Sequence, residues 1–108
     1  MPESQTITET EDSVKEVTDK IPKYNVILLN DDDHTYDYVI EMLGNIFGHD
    51  ERKAMDMAFE VDHKGRVIVD TTHKERAEFK KKQILQYGPD HRLPQSDDSM
   101  KALVEPAG

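Results

Sequence analysis

Residues 24–40 of the chain read YNVILLNDDDHTYDYVI, and this stretch decides the fold. Its first part, from Tyr24 to Leu29, is rich in β-branched and apolar residues, which is typical of a buried strand. Polar residues follow without a gap, as Asn30-Asp31-Asp32-Asp33-His34. Apolar residues then recur with helical spacing at Tyr36, Val39, Ile40, Leu43, Ile46 and Phe47. The stretch therefore predicts a strand, a polar turn and an amphipathic helix that ends near Gly48.

The next segment predicts a second helix followed by a strand. Asp50 is a good N-cap, and apolar residues recur at i, i+3, i+4 and i+7 from Ala54. Gly65 marks a turn, and RVIVD at 66–70 alternates between apolar and other residues. That alternation is the pattern of a strand with one buried face.

The C-terminal third completes the predicted fold. THKE at 72–75 is a capping-box pattern, which opens a third helix that reaches about Tyr87. Residues 100–104 suit a closing strand. The resulting order, β-α-α-β-α-β, predicts an α+β fold in which a small, mostly antiparallel three-stranded sheet packs against three helices.

The first 22 residues differ in composition from the rest of the 108-residue chain. They contain six acidic and two basic side chains and no aromatic residue. Such a segment cannot bury enough apolar surface to offset the entropy lost on ordering. We expect a flexible acidic tail over 1–22 and one folded domain over 23–106, which includes a polar loop at 89–99.

The formal net charge of −9 excludes several classes of partner. Nucleic acids and anionic membrane surfaces both attract basic faces, so neither is an expected partner. The absence of cysteine rules out disulfides and thiolate metal sites. The first residues lack the pattern of a secretory signal, and no apolar run approaches the roughly 20 residues of a membrane span. We therefore expect a cytoplasmic protein.

The polar turn at 30–34 has four interpretations, of which the first two are a metal site and a catalytic site. An EF-hand requires Gly at its sixth position, where this chain has Thr35 or Tyr36. A pair formed by His34 and Asp32 is the remaining metal candidate. Catalysis is disfavoured because no nucleophile elbow, phosphate-cradling loop or cysteine accompanies the carboxylates. We expect no metal, no cofactor and no catalytic residue.

The other two interpretations use the negative charge of the turn. Asp33, His34 and Thr35 lie where the first N–H groups of the following helix need acceptors, and the helix dipole favours negative charge there. Alternatively, Asn30 and Asp31 offer an amide carbonyl and a carboxylate to a protonated α-amino group. Such a group titrates near pH ~8 and forms strong charge-assisted hydrogen bonds. The turn thus predicts a helix cap, an ammonium-binding site, or both.

Three blocks of the sequence together resemble the ClpS family, the small adaptors that deliver proteins to a Clp AAA+ protease. The blocks are YNVILLNDD at 24–32, VDHKG at 61–65 and THKERAEFK at 72–80. A closing ALVEPA at 102–107 is similar to the short last strand of the family. The resemblance covers residues 23–88 without a gap and resumes near Met100, and only the loop at 89–99 is longer than the family pattern.

The resemblance implies an adaptor without enzymatic activity that binds N-degrons, meaning proteins with a free α-amine and a bulky first residue such as Leu, Phe, Tyr or Trp. It implies that Asn30 and Asp31 hold the amine. It places around the first side chain a pocket of Leu28, Leu29, His34, Tyr36, Val39, Ala58, Val61 and Met100. Glu75 and Lys80 would dock on the N-terminal domain of a ClpA- or ClpC-like ATPase, and the N-terminal tail would engage the unfoldase.

The sequence departs from the family pattern within the predicted pocket. His34 and Tyr36 stand where Thr and Met are common, and Ala58 stands at another common Met position. We expect the stiff ring of Tyr36 and the small Ala58 to compensate each other in volume. Asp62 occupies a position that is commonly His, and His63 follows it. We expect Asp62, rather than His63, to add a second carboxylate beside the amine.

A second class of function stays open at this point. The chain could be a general protein-interaction or regulatory domain that has the same fold but does not bind amines. No long apolar surface pattern demands a dimer, so a monomer is the expected state in either case.

Overall fold

The computed structural model describes residues 21–108, and nearly all of the predicted acidic tail at 1–22 lies outside these described residues. The elements in chain order are β1 Lys23–Leu29, α1 Tyr36–Phe47, α2 Glu51–Lys64, β2 Arg66–His73, α3 Lys74–Leu85 and β3 Ala102–Pro106. This order is the predicted one, and the predicted α+β class is confirmed.

The sheet has the strand order β2-β1-β3, and β1 runs antiparallel to both of its neighbours. Leu28 of β1 lies opposite Val67 on one side and Ala102 on the other. An irregularity in the β1–β2 register falls between Val26 and Ile27. The most apolar strand of the sequence is therefore the central one, where both edges are paired and Val26, Ile27 and Leu28 are buried.

The three helices cover one face of this sheet and form the core with it. The buried cluster combines residues of all three strands or their flanks with residues of every helix, including Val26, Leu28, Met42, Leu43, Ala58, Val69, Ile84 and Met100. On the opposite face of the sheet, Arg66 of β2 and Glu105 of β3 form an ion pair at 2.7 Å across β1. None of the helices in the described part of the chain is long and apolar enough to cross a bilayer.

The ends of α1 and α2 follow the signals in the sequence. Thr35 caps α1 by accepting a hydrogen bond from the Tyr38 N–H, and Asp50 caps α2 by accepting one from the Lys53 N–H. Gly48 and Gly65 end these helices with positive φ angles of 72° and 85°, which glycine adopts without steric strain. Thr35, rather than Asp33 or His34, is the residue of the polar turn that caps the helix.

Several predicted boundaries were wrong by a few residues. The capping box at 72–75 was expected to open the third helix, but Thr72 is still paired with Tyr24 in the sheet. Strand β2 continues to His73, which becomes the N-cap of α3, and α3 ends at Leu85 instead of Tyr87. Strand pairing with β1 overrides the local capping signal because each added residue gains ladder hydrogen bonds. The closing strand starts at Ala102, two residues later than predicted.

Candidate functional site

A small cavity lies beside the polar turn, between the start of α1 and the last turns of α2. Its volume is about 40 Å³. Its walls come from four segments and comprise Asn30, Asp31, His34, Thr35, Tyr36, Val39, Ala58, Val61, Asp62 and Met100. Polar groups of the turn and of α2 form one side, and apolar groups form the rest. The fold thus brings residues that are 70 positions apart in the chain to one hollow.

Most of the residues predicted from the sequence meet at this cavity, whereas Leu28 and Leu29 do not line it. Leu28 points into the core and is fully buried. Leu29 is partly buried and pairs with Arg66 at the end of the β1–β2 ladder. Thr35 lines the cavity although the sequence pointed to it only as a helix cap.

The carboxylate of Asp31 is held by its own turn. Its Oδ1 accepts a hydrogen bond from the Asp33 N–H at 2.9 Å and lies 2.7 Å from Nδ1 of His34. The other ring nitrogen of His34 lies 2.8 Å from the backbone oxygen of Asp98. Both ring nitrogens therefore lie within hydrogen-bond distance of oxygen atoms. The His34 side chain, only 3% exposed, thus ties Asp31 to the loop at 89–99.

Asn30 is exposed at the mouth of the cavity, and its position is fixed through the backbone. Its N–H donates to the oxygen of Gly65 at 3.0 Å, at the end of α2. The Leu29 N–H donates to the oxygen of Lys101 at 3.0 Å, just before β3. These bonds hold the turn between two other segments of the site.

Asp62 contributes the carboxylate of α2 to the cavity and bonds to Tyr36 of α1. The Tyr36 hydroxyl donates to Oδ2 of Asp62 at 2.7 Å. This hydrogen bond to the carboxylate raises the pKa of Tyr36 above its usual value, because the bond is lost when the phenol ionises. His63 turns away: its Nδ1 lies 2.9 Å from the oxygen of Phe59, and its ring stacks on the Phe59 ring.

The loop at 89–99 is anchored by a buried carboxylate that the sequence gave no reason to single out. Asp90 is 0% exposed and accepts hydrogen bonds from the Thr35 N–H at 2.7 Å and the Thr35 hydroxyl at 2.8 Å. Arg92 adds bonds from its backbone N–H and its guanidinium. Burial raises the pKa of Asp90, but these hydrogen bonds outweigh it and lower the pKa to about 2. Asp90 therefore stabilises the cap from which α1, and with it Tyr36, begins.

Comparison with known proteins places the chain in a family. The sequence model of the family described as "ATP-dependent Clp protease adaptor protein ClpS" matches residues 19–95. The chain belongs to the ClpS family. The resemblance found in the sequence is confirmed. The family is one of adaptors of Clp protease, not of proteases.

Individual ClpS proteins are similar over most of the chain. The "ATP-dependent Clp protease adapter protein ClpS" of Hydrogenovibrio crunogenus is 41% identical over 76 residues, which cover 69% of this chain and 73% of that protein. That of Campylobacter jejuni is 39% identical over 85 residues, covering 79% and 82%. The solved structure of Agrobacterium tumefaciens ClpS2 bound to L-phenylalaninamide superposes with a TM-score of 0.69 over 81% of this chain and 99% of that one. Its sequence identity is 24%, so it supports the ClpS fold.

The two residues predicted to dock on the Clp ATPase both lie on α3 of this ClpS fold. Glu75 is exposed in the first turn of the helix. Lys80 is partly buried, and its ammonium donates to the backbone oxygen of Ile46 at 2.6 Å and lies over the Phe47 ring. Lys80 therefore satisfies a carbonyl at the C-terminal end of α1, where the helix dipole favours a cation.

No group of three or more His, Asp or Glu side chains that could hold a metal ion occurs within residues 21–108. His34 is engaged by Asp31 and by the loop, as described above, rather than by Asp32. The acidic turn uses its polar groups for hydrogen bonds within the protein and for the cavity wall.

Proposed function

We propose that this ClpS chain is an N-degron adaptor, which binds the protonated α-amine and the bulky first side chain of a substrate and delivers that substrate to a Clp AAA+ chaperone–protease. The observation that carries the proposal is the cavity beside β1. It joins amide and carboxylate groups on one side to buried apolar groups on the other. A free chain terminus that starts with an apolar residue has the matching chemistry.

The amine would be held by Asn30, Asp31 and Asp62. Both hydrogen bonds to Asp31 use its Oδ1, so its Oδ2 is an acceptor for an ammonium group. Asp62 supplies a second carboxylate from α2, and its hydrogen-bond donor is the uncharged Tyr36 hydroxyl. An ammonium group with three donors can bond to all three side chains at once. This arrangement supports our prediction that Asp62, rather than His63, contacts the amine.

The first side chain would enter between α1 and α2. Val39, Ala58, Val61 and Met100 form the apolar wall there, and each is 4% exposed or less. Burying a Leu or Phe side chain contributes roughly 1.5–3 kcal/mol, and each hydrogen bond to a charged group contributes a similar ~1.5–3 kcal/mol. After the loss of translational and rotational freedom, a dissociation constant on the order of micromolar is expected. A β-branched first residue would fit less well because its branch lies next to the amine.

The relative solved with L-phenylalaninamide supports the choice of ligand. That molecule carries a free α-amine and an apolar aromatic side chain, and it is bound by a protein of the same fold. The proposal extends this chemistry to the present chain.

Delivery would use a surface away from the cavity. Glu75 and Lys80 of α3 would contact the N-terminal domain of a ClpA- or ClpC-like ATPase, while the acidic segment at 1–22 would engage the unfoldase. The folded unit at 23–106 would act as a monomer in the cytoplasm, with its long loop at 89–99 bracing the site.

A pair of peptides tests the proposal. The full chain is titrated with a Phe-initiated peptide and its N-acetylated twin, each with and without a chelator, and the heat of binding is measured. We expect the free-amine peptide to bind at least about tenfold more tightly, since acetylation removes the charge that supports ~1.4 kcal/mol or more. The chelator should change nothing. Equal binding of the twins, or binding of neither, would instead favour an interaction domain that does not recognise amines.

A further inference from the structure

Tyr36 and Asp62 both line the cavity and bond to each other. Tyr36 is the first residue of α1, and Asp62 lies in the last turn of α2. Their hydrogen bond of 2.7 Å joins two helices across the hollow that both residues line. No helix-capping or turn geometry requires this bond, because Thr35 already caps α1 and Gly65 already ends α2.

With the Tyr36–Asp62 hydrogen bond in place, the cavity is too small for the ligand of the proposed function. Its volume of about 40 Å³ is well below the roughly 150 Å³ of an engineered apolar cavity that holds a benzene ring. A leucine side chain has four carbon atoms and a phenylalanine side chain has seven, so the walls must move before either can enter. The remaining apolar wall residues belong to the buried core, where movement would disrupt close packing. Tyr36 is the first residue of α1 and is only partly buried. It is therefore the wall residue that can move most easily.

Asp62 is also the part of the site that can change partners. Its side chain is 49% exposed, and the nearest basic group, Nδ1 of His63, lies 3.8 Å away and is closer to the oxygen of Phe59. The short hydrogen bond of Asp62 therefore comes from an uncharged phenol, that of Tyr36. An ammonium group makes a charge-assisted bond with a carboxylate, which is stronger than the bond of a neutral hydroxyl.

We infer that the Tyr36–Asp62 hydrogen bond is a latch, and that the α-amine of the substrate opens it by replacing the phenol on Asp62. The exchange releases the Tyr36 ring, which swings away and makes room for the first side chain. Tyr36 is then a positioning residue that sets access to the cavity. The inference rests on the proposed function, since it assigns Asp62 to the amine.

The latch makes a prediction opposite to that of an ordinary contact residue. If the protein is mostly closed, the observed affinity is reduced by the fraction that is open. Tyr36→Phe keeps the ring and removes only the hydroxyl, so it should raise that fraction. We expect the mutant to bind a Phe-initiated peptide about threefold to tenfold more tightly, the range expected for loss of one competing hydrogen bond. The acetylated twin should gain by the same factor, because both peptides need the open cavity.

A double-mutant cycle shows whether the gain passes through Asp62. Asp62→Asn replaces the charged acceptor, so the gain from Tyr36→Phe should shrink markedly in that background. Tyr38→Phe is the matched control, since it removes a hydroxyl two residues further along α1 that bonds to Gly88. This control should leave peptide affinity unchanged. Thermal unfolding of each variant confirms that it is folded.

The outcomes separate the latch from the function on which it rests. If the unmodified chain prefers the free-amine peptide but Tyr36→Phe binds equally well or more weakly, the latch is wrong and the proposed function stands. If the unmodified chain does not distinguish the twins, both are wrong. The pKa of Tyr36, measured by NMR titration, is an independent readout. It should fall when Asp62→Asn removes the carboxylate, and it should also fall when bound peptide displaces the phenol from Asp62.

Discussion

Asp62 and Asp90 are two carboxylates that bond to neighbouring residues at the start of the same helix, yet their surroundings are opposite. Asp90 is fully buried and accepts hydrogen bonds from Thr35 and Arg92. Asp62 is half-exposed and accepts one short hydrogen bond, from the phenol of Tyr36. Asp90 fixes the beginning of α1 through its cap, Thr35. Asp62 bonds to Tyr36, the residue that follows the cap.

The difference indicates how a small domain can be rigid and adaptable within one turn of helix. A buried carboxylate with several donors costs much free energy to disturb, because each donor would be left without a partner. An exposed carboxylate with a neutral partner can exchange that partner for a charged one at little cost. This difference places Asp90 in the scaffold and agrees with the role in recognition that we propose for Asp62.

Replacement of the buried carboxylate should give the largest effect on stability. Asp90→Ala removes the acceptor of the Thr35 N–H and hydroxyl and weakens the cap of α1. We expect the free energy of unfolding to fall by about 2–4 kcal/mol, measured by urea denaturation. Asp97→Ala, an exposed acidic residue of the same loop, is the matched control and should change stability by less than about 0.5 kcal/mol. Equal effects of the two substitutions would contradict the assignment of Asp90.

The same carboxylate should make the fold sensitive to acid. The pKa of Asp90 is lowered from 3.8 in the unfolded chain to about 2 in the folded one. A lowered pKa means that its stabilisation is complete above pH 3.8 and is lost as the pH falls through 2. In thermal melts, the stability difference between the natural chain and Asp90→Asn should therefore shrink between pH 4 and pH 2. A difference that stays constant over this range would show that the charge of Asp90 does not contribute.

Replacement of the exposed carboxylate should affect binding instead of stability. Asp62→Asn keeps the shape of the side chain and removes the charge opposite the amine. We expect the free-amine peptide to bind about tenfold more weakly, with unfolding free energy changed by less than about 0.5 kcal/mol. His63→Ala should leave binding nearly unchanged because its ring contacts Phe59. The reverse pattern would transfer the amine contact from Asp62 to His63.

The fold could be predicted from sequence because its signals are local. The apolar run of β1, the helical stripe of α1 and the glycines at 48 and 65 each act over a few residues, and all three were interpreted correctly. The start of α3 was misplaced because a local signal and a long-range pairing competed at Thr72. A capping box favours a helix there, while pairing with Tyr24 of β1 favours a strand. Only the second depends on a distant residue, and it prevailed.

For the candidate site, the sequence could predict which residues lie together but not how they bond to one another. Residue types and the ClpS pattern pointed to nine of the cavity residues, but not to the way in which they bond to each other. Asp90 lies 55 residues from its partner Thr35, and Asp62 lies 26 residues from Tyr36. Such pairs leave no periodic trace in the sequence, since a surface aspartate and a buried one look the same in a single chain.

The smallest expected effect concerns the floor of the cavity, where Ala58 is 1% exposed. Ala58→Met adds volume in the cavity that Tyr36 also lines, so the two side chains would compete for the same space. We expect Trp- and Phe-initiated peptides to lose about threefold to fivefold in affinity and Leu-initiated peptides to lose less, because overfilling a packed site costs most for the largest ligand. Dissociation constants for peptides that begin with Leu, Phe, Tyr, Trp, Ile and Val would show the ranking. An unchanged ranking would refute volume compensation between Tyr36 and Ala58, and would leave the Tyr36 hydroxyl, through Asp62, as the feature by which this residue controls access.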